Sequence, residues 1–180
     1  MSRKLLMAVA LAGFALPLAA AHAQMGFGAA AGLSAPLGDF GKGVDAGYHV
    51  TGIVTFSAPL APVGLRVEGS FNEFNFKSSP AITGKTRIVS GTANAVFSSP
   101  GIIGPYLIGG LGIYHSSATC TGCNTTSSKV GFNGGGGLKF GLAGFSAFLE
   151  ARYHYVPSGT TAGVSTSATQ YIPISFGITF

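Results

Sequence analysis

Apolar and polar residues alternate with period two over long stretches of this chain. In FSAFLEARYHYV, Phe145, Ala147, Leu149, Ala151, Tyr153 and Tyr155 fall on one face, and Ser146, Phe148, Glu150, Arg152 and His154 on the other. This period marks a strand with two different environments on its faces. Eight segments carry it: about Met25 to Ser34, Ala46 to Phe56, Val63 to Lys77, Lys85 to Phe97, Pro105 to His115, Lys129 to Phe140, Phe145 to Val156, and about Thr169 to Phe180. The pattern predicts an all-β fold, an eight-stranded antiparallel up-and-down transmembrane β-barrel over residues 24–180.

The connections support that topology. Segments 57–63, 98–104 and 142–144 are short or proline-bearing, whereas 35–45, 78–84, 116–128 and 157–168 are polar, and the two kinds alternate along the chain. An up-and-down barrel places its short turns with the termini, on the periplasmic side, and its longer loops outside. Aromatics also recur eight residues apart on one parity: Tyr48 and Phe56, Tyr106 and Tyr114, Phe132 and Phe140, Phe145 and Tyr153. In a tilted strand that spacing covers roughly 20 Å along the membrane normal, close to the distance between aromatic girdles. Four repeats of one spacing weigh against the core of a soluble β-sandwich. On this rule Tyr106, Ile108 and Tyr114 face outward, leaving Leu107 and Leu111 inside.

Composition points the same way. Charged residues make up 8% of the 180 positions and hydrophobic ones 47%, far short of the roughly one-quarter charged residues of a soluble domain. Beyond residue 23 no segment approaches the ~18 consecutive apolar residues of a membrane helix, since the best candidate there, IIGPYLIGGLGIY, is broken by Pro105 and glycines. The remaining structure that satisfies every backbone group in lipid is a closed barrel. Residues 1–23 carry Arg3 and Lys4, an apolar run and the small-x-small site Ala21-His22-Ala23, which reads as a secretory signal peptide; an uncleaved anchor is the alternative. The remaining Lys and Arg residues are scattered, so nucleic acid is not expected as a partner.

Charges are costly in lipid, by about 2–4 kcal/mol at the midplane for Arg or Lys, so the charged parity must line the interior. That face carries Arg66, Glu68, Lys139, Glu150 and Arg152. An eight-stranded barrel holds side chains and not a wide pore, and buried charges must pair. These five residues are therefore expected to form an internal network that plugs the barrel, with a narrow ion path as the functional alternative. His49 and His154 are placed in the same lining. Glu73 falls on the outward parity and belongs at or above the outer rim. Gly134 to Gly137 would give room for curvature and for bulky inward neighbours.

Three other motifs carry candidate chemistry. Cys120 and Cys123, in a loop of an exported chain, are expected to form a local disulfide; a lone C-x-x-C makes structural zinc weak. Gly84-Lys85-Thr86 lacks the upstream glycine of a phosphate-binding loop, so no cofactor is expected. His115 and Ser117 with Glu150 would resemble a Ser-His-Glu esterase, but Ala118 stands where that motif has Asn, and Glu150 faces inward. No enzyme activity is expected.

GPYLIGGLGIY, FLEARYHYV and the closing strand ending in Phe180 resemble the outer membrane protein β-barrel domain family, related to OmpA- and OmpX-type barrels. The resemblance covers residues 24–180. It implies a bacterial outer-membrane location, with outer-membrane lipid and lipopolysaccharide as surroundings. The alternating apolar face Ile172, Ile174, Phe176, Ile178 and Phe180 resembles the signal by which the barrel-assembly machinery recognises its clients. A monomeric integral protein with a structural or surface-interaction role is expected. A narrow channel or small-solute pore is the alternative, and a lipid-modifying esterase a remote one.

Overall fold

Inward-facing bulk and outward-facing apolar side chains alternate along every long strand, and the chain closes on itself. The computed structural model describes residues 24–57, 62–77, 84–120, 123–161 and 164–180. Residues 1–23, where the sequence reading expects a signal peptide, lie outside them. The strands are β1 (Gln24–Leu37), β2 (Gly47–Ser57), β3 (Val63–Asn75), β4 (Gly84–Ser98), β5 (Ile103–Cys120), β6 (Cys123–Leu142), β7 (Phe145–Val156), β8 (Gly159–Thr161), β9 (Val164–Thr166) and β10 (Thr169–Thr179). Eight of them form a closed barrel in the order β1-β10-β7-β6-β5-β4-β3-β2, while β8 and β9 make a separate hairpin. Every barrel pairing is antiparallel. The last strand seals the first from Gly28↔Thr179 to Leu37↔Gln170, so no edge remains to recruit another chain.

Both ends of the described chain lie at one end of the barrel, called here the terminal end; the opposite end is the loop end. The loop end differs from the sequence expectation. Within 35–45 the chain forms a short helix, α1 (Gly38–Gly43). There Lys42 Nζ donates to Asp39 at 2.7 Å, and this hydrogen bond holds the Asp39 carboxyl below its ordinary range. Residues 116–120 and 123–128 are not irregular: β5 and β6 continue as a paired ribbon to Cys120↔Cys123. The side chains of these two cysteines, and with them the expected disulfide, lie outside the described residues. At the terminal end β6 and β7 join through Ala143 and Gly144, where Gly144 takes a φ of +88° that disfavours any side chain.

Outward positions are apolar and exposed, as lipid requires. Two belts of aromatics flank them. Tyr48, Phe71, Phe132, Tyr153 and Tyr155 lie toward the loop end, with Phe132 stacked on Tyr155 at 5.0 Å. Phe56, Phe140, Phe145 and Phe180 lie toward the terminal end, with Phe145 and Phe180 rings 6.1 Å apart. Six of the eight girdle residues expected from the sequence are therefore on the outward face.

The exception is β5, whose parity is inverted. Tyr106 and Tyr114 are 5% and 0% exposed, whereas Leu107 and Leu111 are 67% and 64% exposed. The aromatic spacing is satisfied equally by either face, and interior chemistry decides: each phenol reaches a buried polar partner, Glu150 for Tyr106 and His154 for Tyr114. A buried Tyr hydroxyl usually finds such a partner. Glycines make the room. Tyr106 stands opposite Gly137 in the ladder, and a Cβ on Gly137 would lie 2.8 Å from the Tyr106 hydroxyl.

The interior is layered. Nearest the loop end, Val44, Phe74, Ile88, Tyr114, Val156 and Tyr171 form an apolar cluster against which Phe40 of α1 packs. Phe40 meets Phe74 edge-on at 5.1 Å, so α1 acts as a cap. Nearer the terminal end, Ala30, Ile53, Tyr106, Ile108 and Phe148 form a second cluster. The charged groups are held with these clusters inside the wall.

Candidate functional site: a charged ring across the barrel

The site is built from two tripeptides. Arg66-Val67-Glu68 lies on β3 and Glu150-Ala151-Arg152 on β7. In the closed order β3 and β7 are four positions apart in either direction, so they face each other across the full diameter. Both run from the terminal end to the loop end. Because the charge order is reversed between them, Arg66 meets Glu150 and Glu68 meets Arg152.

All four contacts of a closed ring are made. Arg66 Nε donates to Glu68 Oε1 at 2.6 Å, and Arg66 Nη2 donates to Glu150 Oε1 and Oε2 at 2.9 and 2.7 Å. Arg152 Nε donates to Glu150 Oε1 at 2.9 Å, and Arg152 Nη2 to Glu68 Oε1 at 3.0 Å; Arg152 Nη1 also reaches Glu68 Oε2. Neighbouring strands satisfy the remaining lone pairs. Tyr106 Oη donates to Glu150 at 2.7 Å, and Asn94 Nδ2 to Glu68 at 3.1 Å. Asn133 Nδ2 donates to Asn94 Oδ1 at 2.9 Å, and Thr92 Oγ1 to Glu68 at 3.3 Å. The Arg66 guanidinium also lies 5.2 Å from the centroid of the Phe148 ring. Two cations and two anions thus cancel, which is the condition for holding charges away from water.

The expected network contained five residues, and the structure joins four. Lys139 is the correction. It has the inward parity but sits near the terminal end of β6, exposed, and forms no ion pair among the described residues. Its ladder partners are Gly104 and Phe148, which places it one inward position nearer the terminal end than Glu150. Sequence reasoning turns Tyr106 outward; alternation does turn Asn94 and Asn133 inward, but it does not join them to the ring. Tyr106 has a readable signal, a large residue beside the Gly134–Gly137 run, once β5 and β6 are placed in register.

Histidines and hydroxyls complete the lining. His49 is hydrogen-bonded to Ser34 at 3.1 Å and to Ser175 at 2.9 Å, and Ser34 donates to Asn72 at 2.9 Å. His154 lies parallel to Tyr171 with centroids 4.9 Å apart. On the exterior near the loop end, Glu73 accepts from Lys85 Nζ at 2.7 Å and Arg87 Nε at 2.8 Å, where a rim position was expected. The structure does not assemble the esterase arrangement. His115 Nδ1 pairs with Ser128 at 2.8 Å, and Glu150 is committed to the ring on the other face of the wall.

Residues 6–180 match the family described as outer membrane protein beta-barrel domain. The chain belongs to that family. This outer-membrane barrel is also similar to solved structures. A major outer membrane protein from Thermus thermophilus aligns with a TM-score of 0.66 at 12% identity, over 88% of this chain and 98% of that one. Neisserial surface protein A aligns with a TM-score of 0.63 at 13% identity, over 87% and 97%. The outer membrane protein OprG from Pseudomonas aeruginosa aligns with a TM-score of 0.51 at 14% identity, over 89% and 98%. At these identities the likeness concerns the fold. No curated protein matches the sequence. Family and fold together place this barrel among integral proteins of the bacterial outer membrane.

Proposed function

We propose that this outer-membrane barrel is a non-enzymatic, non-conducting protein that serves envelope structure or surface interaction. The observation that carries the reading is the Arg66-Glu68-Arg152-Glu150 ring, which bridges opposite walls where an ion path would have to run. Residues 1–23 act as the export signal, cleaved after Ala23. With export, the terminal end faces the periplasm and the α1 cap faces outward. The outward face of β10, with Ile174, Phe176 and Phe180 all exposed, offers the barrel-assembly machinery its recognition strand. Lys85 and Arg87, whose side chains are 53% and 56% exposed beside Glu73, suit the phosphates of outer-leaflet lipopolysaccharide. The closed ladder leaves a monomer complete.

Electrophoresis of the outer-membrane fraction tests this placement. Unboiled protein is expected to migrate differently from boiled protein, and Arg152→Met to lower the temperature at which the shift is lost. Recovery in the soluble fraction with one mobility under both conditions would refute the reading.

A further inference from the structure

The ring divides the interior: a small cavity of about 180 Å³ lies beside Phe40 and Tyr114 at the loop end, and a larger one lies below the ring. This larger cavity, of about 310 Å³, opens toward the terminal end, bounded by Arg66, Tyr106 and Phe148 on its inner side and by Thr55, Ser98 and Lys139 nearer the mouth. Two cationic groups line it: Arg66, paired to both ring carboxylates but with one guanidinium nitrogen left over, and Lys139, which forms no ion pair among the described residues. Arg66 commits Nε to Glu68 and Nη2 to Glu150, while Nη1 meets no acceptor among those residues. Unlike Ser90 Oγ and Tyr171 Oη, that atom is not sealed from solvent. Lys139 lines the same cavity.

None of the described residues lining the cavity is acidic. The chain's five side-chain carboxylates are Asp39, Asp45, Glu68, Glu73 and Glu150. Asp39 is held by Lys42, Glu73 by Lys85 and Arg87, and Glu68 and Glu150 by the ring. Asp45 adjoins α1 at the loop end, where its N–H bonds Asn75. At the terminal end the Phe180 carbonyl accepts from Phe27 N–H at 3.1 Å, on the β1 side. The ring is neutral and no acidic side chain lines the cavity among the described residues, so Lys139 gives its lining a positive charge between low-dielectric walls, which focuses the field on an entering anion.

We propose that this vestibule binds a small oxyanion, a phosphate or carboxylate group, held between Lys139 Nζ and Arg66 Nη1 with the Thr55 and Ser98 hydroxyls as further donors. Charge-assisted hydrogen bonds from two cations are the strong class for such a group. The cavity admits a phosphate-sized group and stops at the ring, so the anion binds without crossing.

The test is a titration of ¹⁵N-labelled full-length mature protein in phosphatidylcholine nanodiscs with inorganic phosphate, at ionic strength held constant with chloride. Saturable amide shifts are expected at Ser57, Ser98, Tyr106 and Lys139, and none at Tyr171. Lys139→Met should weaken the binding at least about tenfold, the loss of one charge-assisted bond, and Lys139→Arg should retain it. Lys139 makes no ion pair among the described residues, so the Met variant keeps its spectrum elsewhere. Repeating the titration in phosphatidylglycerol nanodiscs separates the sources. Unchanged affinity supports a soluble anion, and competition that Lys139→Met abolishes supports a lipid headgroup. Non-saturating shifts, or equal phosphate affinity in wild type and Lys139→Met, would overturn the proposal.

Discussion

Removing the Arg152 guanidinium leaves Glu68 and Glu150 facing each other with one cation between them. Breaking a buried ion pair from one side costs about 3–5 kcal/mol, because a charge is stranded. Arg152→Met is therefore expected to lower the unfolding free energy by that amount in denaturant titrations in detergent. Lys139→Met should stay within about 0.5 kcal/mol, as for surface changes away from structural features. Equal losses in the two variants would contradict the four-membered ring. Gly137→Ala is expected to cost about 1–3 kcal/mol by overpacking against the Leu149 carbonyl oxygen and the Tyr106 ring. Combining it with Tyr106→Leu should cost less than the sum of the two single changes. Strict additivity would mean that the contact with the Leu149 carbonyl oxygen, and not Tyr106, sets the cost. At this scale the sequence carries the charged parity and the complementary tripeptides 66–68 and 150–152. It does not tell Lys139 from the others, because parity reports the face of a strand and not the depth along it.

β10 illustrates what an element can reveal before its neighbours are known. Its outward apolar face and its inward Pro173 are both visible in the sequence. The structure shows the β7 ladder passing from Tyr171↔His154 to Ile174↔Ala151 with no ladder pair between, as expected where proline removes a donor. Deleting Phe180 is expected to reduce the amount of barrel assembled in the outer membrane by several-fold in cell fractions, since this ring ends the proposed recognition face. Normal levels of the truncated protein would count against that role. β5 departs from the aromatic rule because both of its parities carry large apolar residues, and the choice depends on long-range partners, Glu150 and His154. The continuation of β5 and β6 to Cys120 and Cys123 is hidden by polar turn-forming composition, which a solvated ribbon shares with a loop. α1 is hidden for a similar reason: its sequence GDFGKG is rich in loop residues, and the helix is held by Phe40 packing on Phe74.

For the whole molecule, the number of barrel strands, their up-and-down order and the closure of β10 on β1 are legible because each follows from alternation, turn spacing and the absence of an apolar helix. The division of the interior is not, because it arises where β3 and β7 meet across the diameter. That division sets the behaviour of the barrel: capped by α1 and Phe74, bridged by the ring, and open below it as a blind vestibule. Planar-bilayer recording of the refolded mature protein tests this most directly. The account predicts that wild-type protein gives no discrete conductance steps and that variants opening the ring, such as Arg152→Met, conduct more than wild type if they conduct at all. Reproducible wild-type openings that disappear in Arg152→Met would contradict it, since the ring would then be the lining of a path and not its closure.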